Sequence, residues 1–234
     1  MFFRKGFNVS GQTFSTVLTY GEWNLSFCLT TERLILEDLT GQDLASIQRI
    51  ARDPRVMRYV LIWLENDEQV AGFLQHGIDE SKRTDRMGYV LAARIPATGD
   101  FAGIAFLEID PDQKSIAEVG CVLLPEFWEA GYASEILRAF LAFGFGTLSL
   151  HRIYGKCDEL NHAAAHVLEK CGLQYEGTLR EHVWLRDHWR STRYYGMLAG
   201  EYSPLSGTDF CVPPLPTPSP TSKRERPSPT PSPK

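Results

Sequence analysis

Pro125-Glu126-Phe127-Trp128-Glu129-Ala130-Gly131-Tyr132-Ala133-Ser134-Glu135 joins two runs of different period. Before it, Val119 to Leu124 is apolar and reads as a buried strand. After it, Ala133 to Phe145 sets Ile136, Leu137, Phe140, Leu141 and Gly144 at helical spacing. A strand, a short loop with a glycine and a helix N-terminus together offer a place for an anion. The first helical N–H groups have no intrahelical partner, and the helix dipole adds partial positive charge there. Gly131 and Ala133 are small where a phosphate would meet the backbone. The loop lacks the Lys-Ser/Thr ending of a P-loop and the spaced glycines of a dinucleotide-binding turn. Two readings stand: a seat for some other phosphate-bearing cofactor, or an ordinary strand-to-helix turn.

The chain has 234 residues, 43% of them apolar, and a net charge of −5. That length suits one globular domain with extensions. The mild acidity argues against a nucleic-acid surface and favours cationic or amine substrates. Cys28, Cys121, Cys157, Cys171 and Cys211 are odd in number and include no Cys-x-x-Cys pair. A disulfide framework or zinc ribbon is therefore not expected, and a reducing cytoplasm is. His162 and His166 share a helix face but lack the Glu of a His-Glu-x-x-His motif, so no metal site is expected. No apolar run reaches the length of a membrane span.

Outside the centre the chain changes character. Residues 1–28 are rich in Ser, Thr, Gly and Asn, and three readings stay open: a flexible arm, an added strand, or sequence upstream of the true start. Residues 203–234 hold ten of the fourteen prolines, interleaved with Ser and Thr. That composition cannot offset its own ordering entropy, so a disordered tail is expected. Between them, residues 29–202 read as the domain. Strands are expected at Arg33 to Glu37, Met87 to Arg94, Phe101 to Ile109, Ser115 to Leu124 and Ile153 to Cys157. A closing hairpin, Gln174 to Leu185 and Trp189 to Leu198, completes them. Thr40-Gly41-Gln42-Asp43 resembles a capping box that opens a helix to Arg52. A second helix spans Asp67 to Glu80, and Asn161 caps a third that Gly172 stops. Antiparallel strands followed by β-α-β-α-β-β indicate a three-layer α/β (α+β) domain.

Four segments, in order, carry a family resemblance. They are Thr31-Glu32-Arg33-Leu34-Ile35-Leu36, then Ala117-Glu118-Val119-Gly120, then Trp128 to Glu135, and last Asn161 with Val167 to Leu173, Glu176-Gly177 and Arg180. Over Thr31 to Tyr202 the chain resembles the GNAT superfamily of acyl-CoA-dependent N-acetyltransferases. Its nearest branch is the RimJ/RimL type, which acetylates ribosomal-protein N-termini. The resemblance implies a mixed, mostly antiparallel sheet flanked by helices, with acetyl-CoA as cosubstrate. It implies direct attack by a primary amine, on a peptide N-terminus or a small molecule, in a monomer or homodimer.

The resemblance also implies roles. The backbones of Ala130, Gly131, Tyr132, Ala133 and Ser134 hold the pyrophosphate. A backbone N–H near Val122 or Leu123 faces the thioester oxygen, where negative charge develops. Glu118 matches a general base; its bland alternative is a structural carboxylate paired to a neighbouring strand. Asn161 matches a cofactor-contacting Asn and is also a helix cap. Two positions depart from the pattern. Glu129 puts a carboxylate beside the expected phosphate, and Ala164 stands where the branch usually carries a Ser that serves the departing thiolate, leaving Tyr154 or water. These departures keep a second reading alive, a catalytically weak CoA-binding module. Trp184, Arg186, His188, Trp189 and Arg190 either border the acceptor cleft or decorate an exposed hairpin.

Overall fold

The computed structural model describes residues 3–7, 13–17, 27–61 and 64–203. Strands β1 (Phe3–Phe7) and β2 (Thr13–Val17) form an antiparallel two-stranded ribbon outside the main sheet. The main sheet holds β3 (Cys28–Thr30), β4 (Ile35–Asp38), β5 (Gly88–Arg94), β6 (Phe101–Ile109), β7 (Ile116–Leu123), β8 (Arg152–Asp158), β9 (Gln174–Leu185) and β10 (His188–Leu198). Their order is β3-β4-β5-β6-β7-β8-β10-β9. Every neighbour is antiparallel except β7 with β8. The expected tail from residue 204 on lies outside the described residues.

Helices α1 (Leu44–Arg52), α2 (Pro54–Met57) and α3 (Asp67–Ser81) cover one face, and α4 (Tyr132–Ala142) and α5 (His162–Lys170) cover the other. Three layers result, as the order of elements implied. The capping box at Thr40 is present: Asp43 accepts from the Thr40 backbone N–H at 2.8 Å. Pro54 starts a new turn instead of only ending α1, because Asp53 accepts from the Arg55 N–H and Pro suits a first helical position.

The domain begins earlier than residue 29. Cys28 pairs with Glu37 in the sheet, and Phe27 is buried against Tyr89 and Phe143, with centroids 4.9 and 5.0 Å away. Burying such a ring contributes about 2 kcal/mol. The Phe27 N–H donates to Asp38 at 2.8 Å, and Asp38 pairs with Arg86 at 2.7 Å, both nearly buried. Composition hid this boundary because a three-residue edge strand has no room to show a period.

One feature positions the site. The parallel ladder between β7 and β8 covers only Ile116↔Arg152, Ala117↔Ile153 and Glu118↔Tyr154. Beyond it β7 stays with β6 to Leu123, while β8 stays with β10 to Asp158. The sheet therefore forks after Glu118 and Tyr154.

Candidate active site

One prong of the fork leads into the loop quoted above. Pro125–Phe127 makes a single 3-10 turn, and then two residues take left-handed backbone, Glu129 at φ 59° and Gly131 at φ 83°. The second is the N-cap of α4. At that φ a side chain is strained, so the glycine is required first for its conformation. An added Cβ would meet Arg33 Nη2 at 3.4 Å, on the side of the loop that Arg33 occupies. No side chain caps α4 among the described residues, so its first backbone donors stay open for an anion. Tyr132, Ala133 and Ser134 supply them. Ser134 is itself buried, so it contributes backbone only. Glu129 is exposed, where solvent screens its charge.

Arg33 fastens this loop from outside. Its Nη1 donates to the Ala130 carbonyl at 2.8 Å and its Nε to Glu135 at 2.8 Å. Glu135 also accepts from the Arg33 backbone N–H at 2.7 Å and the Thr31 hydroxyl at 2.6 Å. Burial alone would raise the Glu135 carboxyl; the Thr31 hydroxyl and the Arg33 donors outweigh it and hold it below the usual carboxylate range. The guanidinium also lies 4.6 Å from the Tyr132 ring centroid.

Register separates the two strand residues expected to face the thioester. Leu124 donates to Ala102, and Asp110 donates to Ile116, in one unbroken register with β6. Antiparallel pairs bond at alternate residues, so Val122 turns its N–H and carbonyl to β6. The expectation for Val122 is therefore corrected: Cys121 and Leu123 present their backbones to the fork. The Leu123 carbonyl already accepts from the Trp128 indole at 2.8 Å, which leaves its N–H. The run from Leu123 back to Glu118 spans about 17 Å at 3.4 Å per residue.

Glu118 sits at the crotch of the fork. It accepts from Lys156 Nζ at 2.8 Å and from the Tyr154 hydroxyl at 3.3 Å. Burial, then the Glu118 charge, pushes the Tyr154 hydroxyl up, so it stays protonated at neutral pH. Tyr154 stacks with Tyr194 at 6.1 Å. At the tip of the other prong, Asn161 caps α5 by accepting from the Ala164 N–H at 3.0 Å. The loop thus follows the β7 prong and Asn161 the β8 prong, with Glu118 where the two strands part.

Two groups escaped sequence reasoning. Lys156 follows Tyr154 by two residues and so shares its face, a signal available once β8 is a strand. Glu108 is the direct cross-strand partner of Glu118; only register reveals that. The hairpin residues divide. Arg190 pairs with buried Asp158 at 2.5 Å and donates to the Arg58 carbonyl at 2.7 Å, and Arg186 donates to the Val60 carbonyl at 3.2 Å. They fasten the hairpin across the sheet to the segment after α2. Trp184 and Trp189 remain half-exposed, edge to face at 5.4 Å.

No His, Cys, Asp and Glu group that could hold a metal occurs among the described residues. No helix there is long and apolar enough to cross a membrane.

Known proteins share this frame. Residues 33–174 match the acetyltransferase (GNAT) domain family. An uncharacterized N-acetyltransferase of Bacillus subtilis, YoaA, is 30% identical over 73% of this chain and 96% of its own. The spermidine N(1)-acetyltransferase of Escherichia coli K12 is 27% identical over 67% of this chain and 81% of its own. Among solved structures, spermidine N-acetyltransferase from Vibrio cholerae in complex with CoA and spermine superimposes at TM-score 0.62, with 23% identity over 72% of this chain and 97% of its own.

Proposed function

Because the chain belongs to the GNAT acetyltransferase family, we propose that it moves an acetyl group from acetyl-CoA to a primary amine, with the catalytic centre at the crotch of the fork. The single observation that carries the placement is the three-residue β7–β8 ladder ending at Glu118, with an uncapped helix N-terminus at the other end of the gap. The residues fit acetyl-CoA. Backbone donors of Tyr132 to Ser134 face its diphosphate, with Gly131 shaping the turn. The free edge of β7 pairs with an extended arm, and Asn161 flanks it from the opposite prong.

Acetyl-CoA supplies the thioester carbon that the amine attacks. The outward N–H groups of β7, Leu123 near the loop and Cys121 nearer the crotch, pair with the cofactor arm, and the one beside the thioester donates where the carbonyl oxygen gathers charge. Glu118 takes the proton that keeps an ammonium from attacking. Tyr154, held protonated, is the hydroxyl that stands in for the Ser missing at Ala164, donating a hydrogen bond to the departing sulfur and relaying to it the second proton that the amine nitrogen sheds. Substrates of the relatives, spermidine among them, set the first acceptors to try, together with peptide N-termini. We place this activity in the cytoplasm, consistent with cysteines that form no disulfide among the described residues.

Thermal shift with CoA and acetyl-CoA, followed by an acceptor screen with free-thiol detection, tests this reading. No response at millimolar CoA overturns it. Tight CoA binding without transfer to any amine would favour the binding-module reading instead.

A further inference from the structure

The two carboxylates that face each other across β6 and β7 are in unequal circumstances. Glu118 already has a cation, Lys156 at 2.8 Å, and a hydroxyl, Tyr154 at 3.3 Å. The side chain of Glu108, directly opposite, makes no hydrogen bond or ion pair among the described residues. Direct cross-strand partners lie on one face with Cβ atoms about 5 Å apart. Glu108 reaches solvent although packing around its carboxyl still desolvates it in part, so an acceptor that reaches the crotch of the fork meets it beside the base. A second ammonium brought to Glu118 must displace or crowd Lys156. One brought to Glu108 meets an unclaimed carboxylate.

We propose that Glu108 is the docking carboxylate for the acceptor, holding the amine as its ammonium form while Glu118 takes the proton. The proposal rests on the acetyl-transfer reading and names its substrate class: an amine that arrives as a cation. In the step itself, an N–H bond of the ammonium breaks and an O–H bond forms on Glu118. The freed nitrogen pair bonds to the acetyl carbon, the C–S bond breaks as the carbonyl re-forms, and the second proton that the nitrogen sheds on becoming an amide ends on the departing sulfur.

The surroundings of Glu108 agree with an unfilled cation position. Burial, then the Glu118 charge, pushes its carboxyl above the usual range; Glu80 adds to this, while His76 and Lys156 oppose it. Those groups come from β7, β8 and α3; on its other side β5 sets Gly88, which carries no charge, opposite it. An arriving ammonium relieves both leading causes at once, a local attraction that weakens when Glu108 takes up a proton.

The test compares Glu108→Gln with Glu118→Gln in the full chain, on acetyl-CoA with spermidine and with two N-terminal tripeptides as acceptors. Melting temperature and CoA affinity serve as checks on folding. Glu108→Gln is expected to raise KM for the amine about tenfold at pH 7, the equivalent of one lost charge contact of 1.4 kcal/mol, with kcat within about threefold. Glu118→Gln is expected to lower kcat instead. The KM gap between wild type and Glu108→Gln should close as pH falls, since protonated Glu108 holds no cation, and the closing should begin above pH 4.5, the ordinary carboxyl value. An unchanged KM from pH 5 to 8 overturns the proposal, as does a loss confined to kcat. If wild type binds CoA but acetylates none of these amines, the docking role falls while the cofactor site stands. If CoA does not bind, the functional reading falls first.

Discussion

The two ends of β7 are built on opposite principles. At Gly131 the site is made of backbone: a left-handed glycine, an uncapped helix and N–H groups that any side chain could accompany. At Glu118 it is made of side chains drawn from β6, β7 and β8, none within eight residues of another strand's contribution. The first end is local in sequence and, Gly131 apart, tolerant of substitution. The second is non-local and depends on which residue faces which. A site of the first kind declares itself as a motif; one of the second kind is readable only once register is known.

The sharpest way to probe this contrast is Glu118→Gln. It keeps shape and removes the base, so kcat should fall by about 10²-fold or more with CoA affinity unchanged. A wild-type rate across the pH range would reduce Glu118 to an ion-pair partner of Lys156. The backbone end should respond differently. Gly131→Val forces a branched residue to φ 83°, costing about 1–3 kcal/mol. Stability and CoA affinity should fall together, with a melting temperature lower by roughly 3–10 °C. Weakened CoA binding at unchanged melting temperature would show that the glycine serves access alone.

A smaller effect is expected at Glu135→Gln, which loosens the Arg33 clamp. Arg33 is half-exposed, so screening limits the cost to about 1 kcal/mol. The sign with pH is fixed. A carboxyl held below its ordinary 4.5 stabilises above that value and loses its contribution as pH falls through the depressed one. Urea unfolding of wild type and variant should therefore differ at pH 7 and converge in acid. A constant difference would assign the loss to packing. Least of all is expected from ending the chain at Ser203: CoA binding and melting temperature should match the full chain, and a loss would show the Pro-rich segment docking on the domain.

Much of the frame was legible beforehand. The 3.6-residue period of α4, the capping box at Thr40 and the Asn161 cap are each set by neighbours in sequence, so their chemistry shows in the residues themselves. The family resemblance ordered them. What stayed hidden shares one cause. Val122 and Leu123 look interchangeable until the bond from Leu124 to Ala102 fixes which of them turns outward. Glu108 carries no signal of its own in the sequence; only register sets it opposite Glu118. Arg186 and Arg190 read as hairpin decoration because their acceptors, the Val60 and Arg58 carbonyls, lie more than 120 residues earlier.

The short β7–β8 ladder has one more consequence. Among the described residues, the ladder that joins the β3-to-β7 part of the sheet to the β8-β10-β9 part is three residue pairs long, with the Ser115 carbonyl accepting from His151 just before it. The seam is narrow in hydrogen bonds only: one hydrophobic cluster and the Arg186 and Arg190 ties still join its two sides. Amide hydrogen exchange should divide along that seam, with β6 and β10 slow and the outward-facing β7 amides of Cys121 and Leu123 fast. An extended ligand lying in the fork would act as an extra strand, and its binding would be felt as slowed exchange on both sides at once.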